Sequence, residues 1–334
     1  MITTALILVI IAALIFDFIN GFHDAANAVA TVVSTGVLPL RTAILIAAVL
    51  NVIGALAGTA VASTIGKGVI EPEVVSQTVV LSALFGAILW NLITWKYGIP
   101  SSSSHALIGG LIGAGIGKSG IEAIQFQGVE KIVKSLILSP VVGMGIGFLV
   151  MIALYWICRR GRPSKLNQTF RVLQLFSSGF MAVSHGSNDA QKTMGIITMS
   201  LIAAGTIHND GNAFAVPAWV IGICALAMGL GTAAGGTRII KTMGTKIIDL
   251  KPIHGFASET TAALTILGAS HLGLPVSTTH VISGAILGVG SSQSVSAVRW
   301  GITVRILWGW ILTIPISALT AYLSFDLLKF FFGV

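Results

Sequence analysis

The sequence predicts an all-α polytopic membrane protein made of two inverted repeats with broken transmembrane helices and paired helical hairpins. Three observations carry this. Of 334 residues, 54% are hydrophobic and only 9% charged, too few charges to cover a water-facing surface. Long uncharged runs recur: Met1 to Phe16, Thr42 to Gly66, Val74 to Trp95, Ser135 to Cys158, Gly211 to Thr237, Thr260 to Val298 and Ile306 to Phe325. Most can cross a hydrocarbon layer, which takes about 20 helical residues. Finally, two polar motifs occur twice in the same order.

The first run lacks a basic flank and leads straight into Asn20 to Asn27, so it reads as mature protein rather than as a signal peptide. Gly21-Phe22-His23-Asp24-Ala25 then matches Gly186-Ser187-Asn188-Asp189-Ala190. A carboxylate at membrane depth costs roughly 2.5–3.5 kcal/mol, so a pair at matching positions should face a polar interior and have a role. Gly21, Gly186 and Gly195 stand beside them. Glycine permits unwinding, so each Asp motif is expected to break its membrane helix.

A helix from about Arg41 follows, and then a helical pair meeting at Pro100, where Pro-Ser-Ser-Ser-Ser-His (Pro100 to His105) matches Pro-Val-Ser-Thr-Thr-His (Pro275 to His280). Hydroxyl side chains after proline start helices well, because they cap free N–H groups. Two such N-termini pointing at one another would enclose an anion. The plain alternative is a pair of capped turns at the membrane surface. Two carboxylates beside an anion require an explanation, and two are open: each neutralises a coupled cation, or accepts a hydrogen bond from a protonated anion. Phosphate offers a P–OH donor near neutral pH and sulfate does not, so such a site should favour phosphate, since a buried acceptor left without a donor costs about 1–3 kcal/mol.

The net charge of +8 suggests nucleic acid only until the basic residues are placed. They gather in two stretches, 159–171 and 238–251, which the positive-inside rule assigns to the cytoplasm. No nucleic acid is expected; membrane lipid is. The connection between the stretches, Ile207 to Asn212, carries Asp210 and no Lys or Arg, as alternation of sides requires. The repeats are bounded at 1–158 and 171–334, joined by a basic connection at 159–170. The hairpins cancel in the topology and leave an odd number of crossings per half. The halves should then run in opposite senses in a cytoplasmic (inner) membrane, with both termini outside. Cys158 and Cys224 have no metal-ligand spacing.

Weaker candidates remain. Glu259 is either a snorkelling helix-end residue or a cation ligand. Lys192 is a partner of Asp189, an anion contact or an interfacial lysine. His23, His105, His185 and His280 are proton relays or simple hydrogen-bonding groups.

At these motifs the chain resembles the inorganic phosphate transporter (PiT) family in a bacterial-type form, whose duplicated signature is similar to Gly-x-Asn-Asp-x-x-Asn and Pro-[Ile/Val]-Ser-x-Thr-His. The likeness covers essentially the whole chain. It implies phosphate import coupled to Na⁺ or H⁺, no bound cofactor, no enzymatic activity and a homodimer. Carried over by position, it puts phosphate at Asn27, Ser102, Ser103, Ser104, Ser277, Thr278 and Thr279. It puts the coupling cation at Asp24, Asn188, Asp189, Glu259 and His23, with Asp24 and Asp189 as metal ligands if the ion is Na⁺. This chain departs from the pattern in having His23 where the second copy has Asn188, and Lys192 where the first has Asn27. It also has Asn51 where animal sodium-coupled members would have glutamate, which leaves the ion open. Two other classes compete with this reading. An intramembrane serine hydrolase needs one asymmetric nucleophile and base, against which two copies of each motif argue. A passive channel, or a permease for another tetrahedral oxyanion, stays the alternative.

Overall fold

A computed structural model describes residues 3–207 and 214–332. The connection around Asp210 lies outside the described residues. Among the described residues the chain is helical, apart from short 3-10 turns and one isolated bridge between Ile70 and Ile124.

The order of elements repeats. The first half runs α1 (Thr4–Ser34), α2 (Leu40–Ala55), α3 (Ala60–Gly68), α4 (Gln77–Tyr97), α5 (Ser103–Ser119) and α6 (Phe126–Cys158). The second runs α7 (Pro163–Ala203), α8 (Ala218–Ala234), α9 (Thr237–Thr245), α10 (Pro252–His271), α11 (Thr278–Gln293) and α12 (Trp300–Phe332). Pro140 inside α6 and Pro315 inside α12 occupy corresponding places. Among the described residues four helices, α1, α4, α6 and α12, are long and apolar enough to cross a membrane, and the count rises to 6 if the bent pairs α2–α3 and α8–α9 are each one span. α6 and α12 turn Ile137, Val141, Leu149, Trp308, Ile311 and Leu319 outward, a surface suited to lipid rather than water. The molecule is a multi-pass membrane protein.

Two expectations are corrected. The Asp motifs do not interrupt their helices: α1 passes unbroken through Asp24 and α7 through Asp189. The breaks fall at α2–α3, bent by 72°, and α8–α9, bent by 71°. The glycines serve close approach instead. A Cβ on Gly21 would stand 2.4 Å from the carbonyl oxygen of Met228, on Gly186 2.1 Å from that of Asn51, and on Gly195 2.6 Å from that of Ala62. Gly186→Ala is therefore expected to force α7 and α2 apart and destabilise the protein by about 1–3 kcal/mol, read as a lowered unfolding midpoint in detergent. Within the stretch 159–170, Pro163 opens α7 at its first turn, where a missing N–H costs nothing.

The hairpins are as expected. Gly98, at φ 64°, ends α4 and Gly273, at φ 65°, follows α10, both in the left-handed region that favours glycine. In each hairpin the chain then reverses through its proline, Pro100 or Pro275. Packing exchanges partners between halves: α5 lies against α12 and α11 against α6, while α1 packs on α8 and α2 on α7.

Candidate functional site

The site starts from two helix ends. Ser102 caps α5 by accepting from the His105 amide at 3.2 Å, and Ser277 caps α11 by accepting from the His280 amide at 3.2 Å. Each hydroxyl accepts in its cap, which leaves its O–H able to donate, and both serines are buried. Ser277→Ala should cost about 1 kcal/mol, visible as a lower unfolding midpoint, with Ser277→Gly losing less. The two ends converge. The His105 and His280 rings lie 4.5 Å apart between centroids, His280 stacks on Trp310 at 3.8 Å, and Trp310 Nε1 donates to the Pro100 carbonyl at 2.9 Å.

α1 and α7 complete the chamber. Asn27 Nδ2 donates to Thr278 Oγ1 at 3.2 Å and to Thr279 Oγ1 at 3.0 Å. Thr278 in turn donates to Asp189 Oδ2 at 2.9 Å. Asp189 also accepts from Lys192 through Oδ1 and faces His185 Nε2 at 3.2 Å. Lys192 donates as well to Ser104 Oγ and to the Val276 carbonyl. All of these groups are buried, and the Ser103 hydroxyl and Asn27 Oδ1 make no hydrogen bond. Asp24 pairs with His23 Nδ1 at 2.7 Å, and His23 Nε2 faces Thr94 Oγ1 at 3.0 Å and Ser101 Oγ at 3.4 Å.

One ligand atom each from Asp24, His185 and Asp189 lie within 4.8 Å of one another. Two carboxylates with hydroxyls close by suit a small hard cation, which takes oxygen ligands. Glu259 belongs to a second polar nest. It is not a snorkelling end residue, since it is fully buried within α10. It accepts from Thr31 Oγ1 at 2.5 Å, from Gln174 Nε2 at 3.0 Å and from Ser177 Oγ. Thr31 lies two turns beyond Asp24 on α1, about 10 Å of helical rise. Asn188 points elsewhere again, with Nδ2 donating to Ser270 Oγ at 2.8 Å.

The profile of the phosphate transporter family matches residues 20–321. The chain belongs to the phosphate transporter family. It is 48% identical to a "probable low-affinity inorganic phosphate transporter" of Bacillus subtilis over 98% of both chains. A protein of that same name in Rhizobium meliloti is 49% identical over 95% of this chain and 94% of its own length. A solved structure named "The sodium-dependent phosphate transporter" superposes with a TM-score of 0.88 and 28% identity, covering 98% of this chain and 100% of that one. The family consists of transporters, not enzymes, which disposes of the hydrolase reading.

The structure therefore joins Asn27, Thr278, Thr279 and Asp189 through hydrogen bonds and reaches Ser104 through Lys192, with Asp24 and His23 beside them. Asn188 and Glu259 stand apart. His185 and Lys192, weaker candidates in the sequence, join the former group on the Asp189 face at spacings of four and three residues, and of the three roles open to Lys192 the structure shows the pairing with Asp189.

Proposed function

We propose that this chain imports inorganic phosphate by symport with Na⁺ or H⁺, exposing one buried site alternately to the two sides. The observation that carries this reading is the meeting of the α5 and α11 N-termini in a chamber where Asn27 donates to both Thr278 and Thr279. Helix N-termini favour anions. Asp24 and Asp189 beside them supply acceptors for a P–OH group and ligands for a cation, a combination sulfate cannot use fully. The names of the similar proteins support phosphate, and the word sodium in the name of the structural neighbour supports Na⁺. Against 100 mV, inside negative, each imported negative charge costs about 2.3 kcal/mol, so import requires co-moving cations.

In this reading residues 1–158 and 171–334 are inverted repeats in the cytoplasmic membrane. The basic stretches 159–171 and 238–251 face the cytoplasm, the termini lie outside, and the working unit is a homodimer. The matched element order and the near-equal bends support the repeat.

Uptake of labelled phosphate into proteoliposomes under an imposed Na⁺ or pH gradient tests this, with Asp24→Asn alongside. Uptake driven by one gradient and lost in the variant identifies the ion. Flux indifferent to both gradients would make the protein a channel and end the symport reading.

A further inference from the structure

We propose that the Lys192 ammonium is a tethered cation: it fills, from within the chain, a position that a dissolved coupling ion would otherwise take, and so lowers by one the number of cations accompanying each phosphate. This rests on the symport reading given above.

The first ground is the ligand set. Nζ donates to the Asp189 carboxylate, the Ser104 hydroxyl and the Val276 carbonyl, the last at 3.1 Å. An ammonium has three N–H donors and no acceptor, so its capacity is used entirely inside the protein. Carboxylate, hydroxyl and backbone carbonyl together are also the oxygen ligands a hard cation takes. A lysine serving as an anion receptor would instead keep a donor free.

The second ground is placement. The side chain is only 2% exposed. Its partners beyond α7 come from both hairpins, since Ser104 belongs to the first turn of α5 and Val276 precedes α11. The ammonium thus ties together the two helix ends that flank the chamber. The third ground is the asymmetry of the repeat. Three residues after Asp24 stands neutral Asn27, with Oδ1 making no hydrogen bond; three residues after Asp189 stands Lys192. Of the two carboxylates, Asp189 thereby has a lysine ammonium among its partners, whereas Asp24 has, among the described residues, only the ring of His23 at 2.7 Å and no ammonium.

The test measures charge moved per phosphate, from the reversal potential in proteoliposomes, for wild type and Lys192→Asn. The expected result is one additional elementary charge per phosphate in the variant, with uptake rising more steeply with Na⁺ or H⁺ concentration. Unchanged stoichiometry with a raised KM for phosphate would make Lys192 an anion ligand and overturn the proposal, as would no change at all. Where the variant is silent in transport, Lys192→Asn and Lys192→Gln are compared with wild type for thermal stability in detergent, in Na⁺ against choline and across pH. Variants stabilised by Na⁺ or by H⁺ more than wild type support the tethered ion. Variants that respond as wild type does, or fail to fold in every condition, overturn it. Wild-type uptake indifferent to both gradients would instead remove the symport reading itself, before any variant is considered.

Discussion

Asp189→Asn is expected to lower phosphate uptake at least about 100-fold at equal amounts of folded protein. The carboxylate holds Lys192, accepts from Thr278 at 2.9 Å and faces His185 Nε2 at 3.2 Å. Removing one partner of a buried ion pair leaves the other charge uncompensated, typically at about 3–5 kcal/mol, and each 1.36 kcal/mol is tenfold. Part of that loss will appear as instability. Initial uptake rates should therefore be normalised to the monodisperse fraction after size exclusion. Adding Lys192→Met to Asp189→Asn should restore folding, because no charge is then stranded, but not uptake. A single variant that transports within threefold of wild type would show that Asp189 is scaffold only.

Glu259→Gln is the second large effect, an expected fall in uptake of about 10- to 100-fold. The three groups around this carboxylate, Thr31, Gln174 and Ser177, all donate to it. An amide of the same shape turns one acceptor into a donor facing donors, and such a mismatch in a buried place costs about 1–3 kcal/mol. It also removes the only charge in the nest, on which a cation-binding role depends. The two contributions separate experimentally. If Glu259 merely ties α1, α7 and α10 together, the variant melts lower, yet its folded fraction transports with wild-type dependence on cation concentration. If it binds a cation, that dependence becomes weaker or shifts to higher concentration.

The hairpins and their caps were legible in the sequence because their chemistry is local. A proline, a hydroxyl and an amide three residues on specify a helix start whatever surrounds them, and Ser102 and Ser277 behave alike. The continuity of α1 and α7 was not legible. Gly21 and Gly186 permit unwinding, and only the carbonyls of Met228 and Asn51 pressed against them show that they serve packing instead. The sequence left Lys192 among three roles and His185 between two, and the unbroken helix decides for both, since it brings them to Asp189 on one face. The bend between α2 and α3 lies inside the uncharged run Thr42 to Gly66, where hydropathy shows no interruption. Glu259's partners lie 82 residues or more away along the chain, beyond the reach of any local pattern.

The exchange of partners between halves has a consequence for how the protein is made. On α5, a Cβ at Gly113 would stand 1.9 Å from the carbonyl of Ala318, and one at Gly109 would stand 2.6 Å from that of Ile314. The helix receiving this glycine face is α12, which is translated long after α5. Ribosomes finish the first six helices long before the seal for the fifth exists, so α5 must wait, sheltered by the insertion machinery or by lipid, until α12 has been made. A nascent chain halted before Trp300 would be a membrane protein with the glycine face of α5 uncovered, and quality-control proteases would meet it in that state.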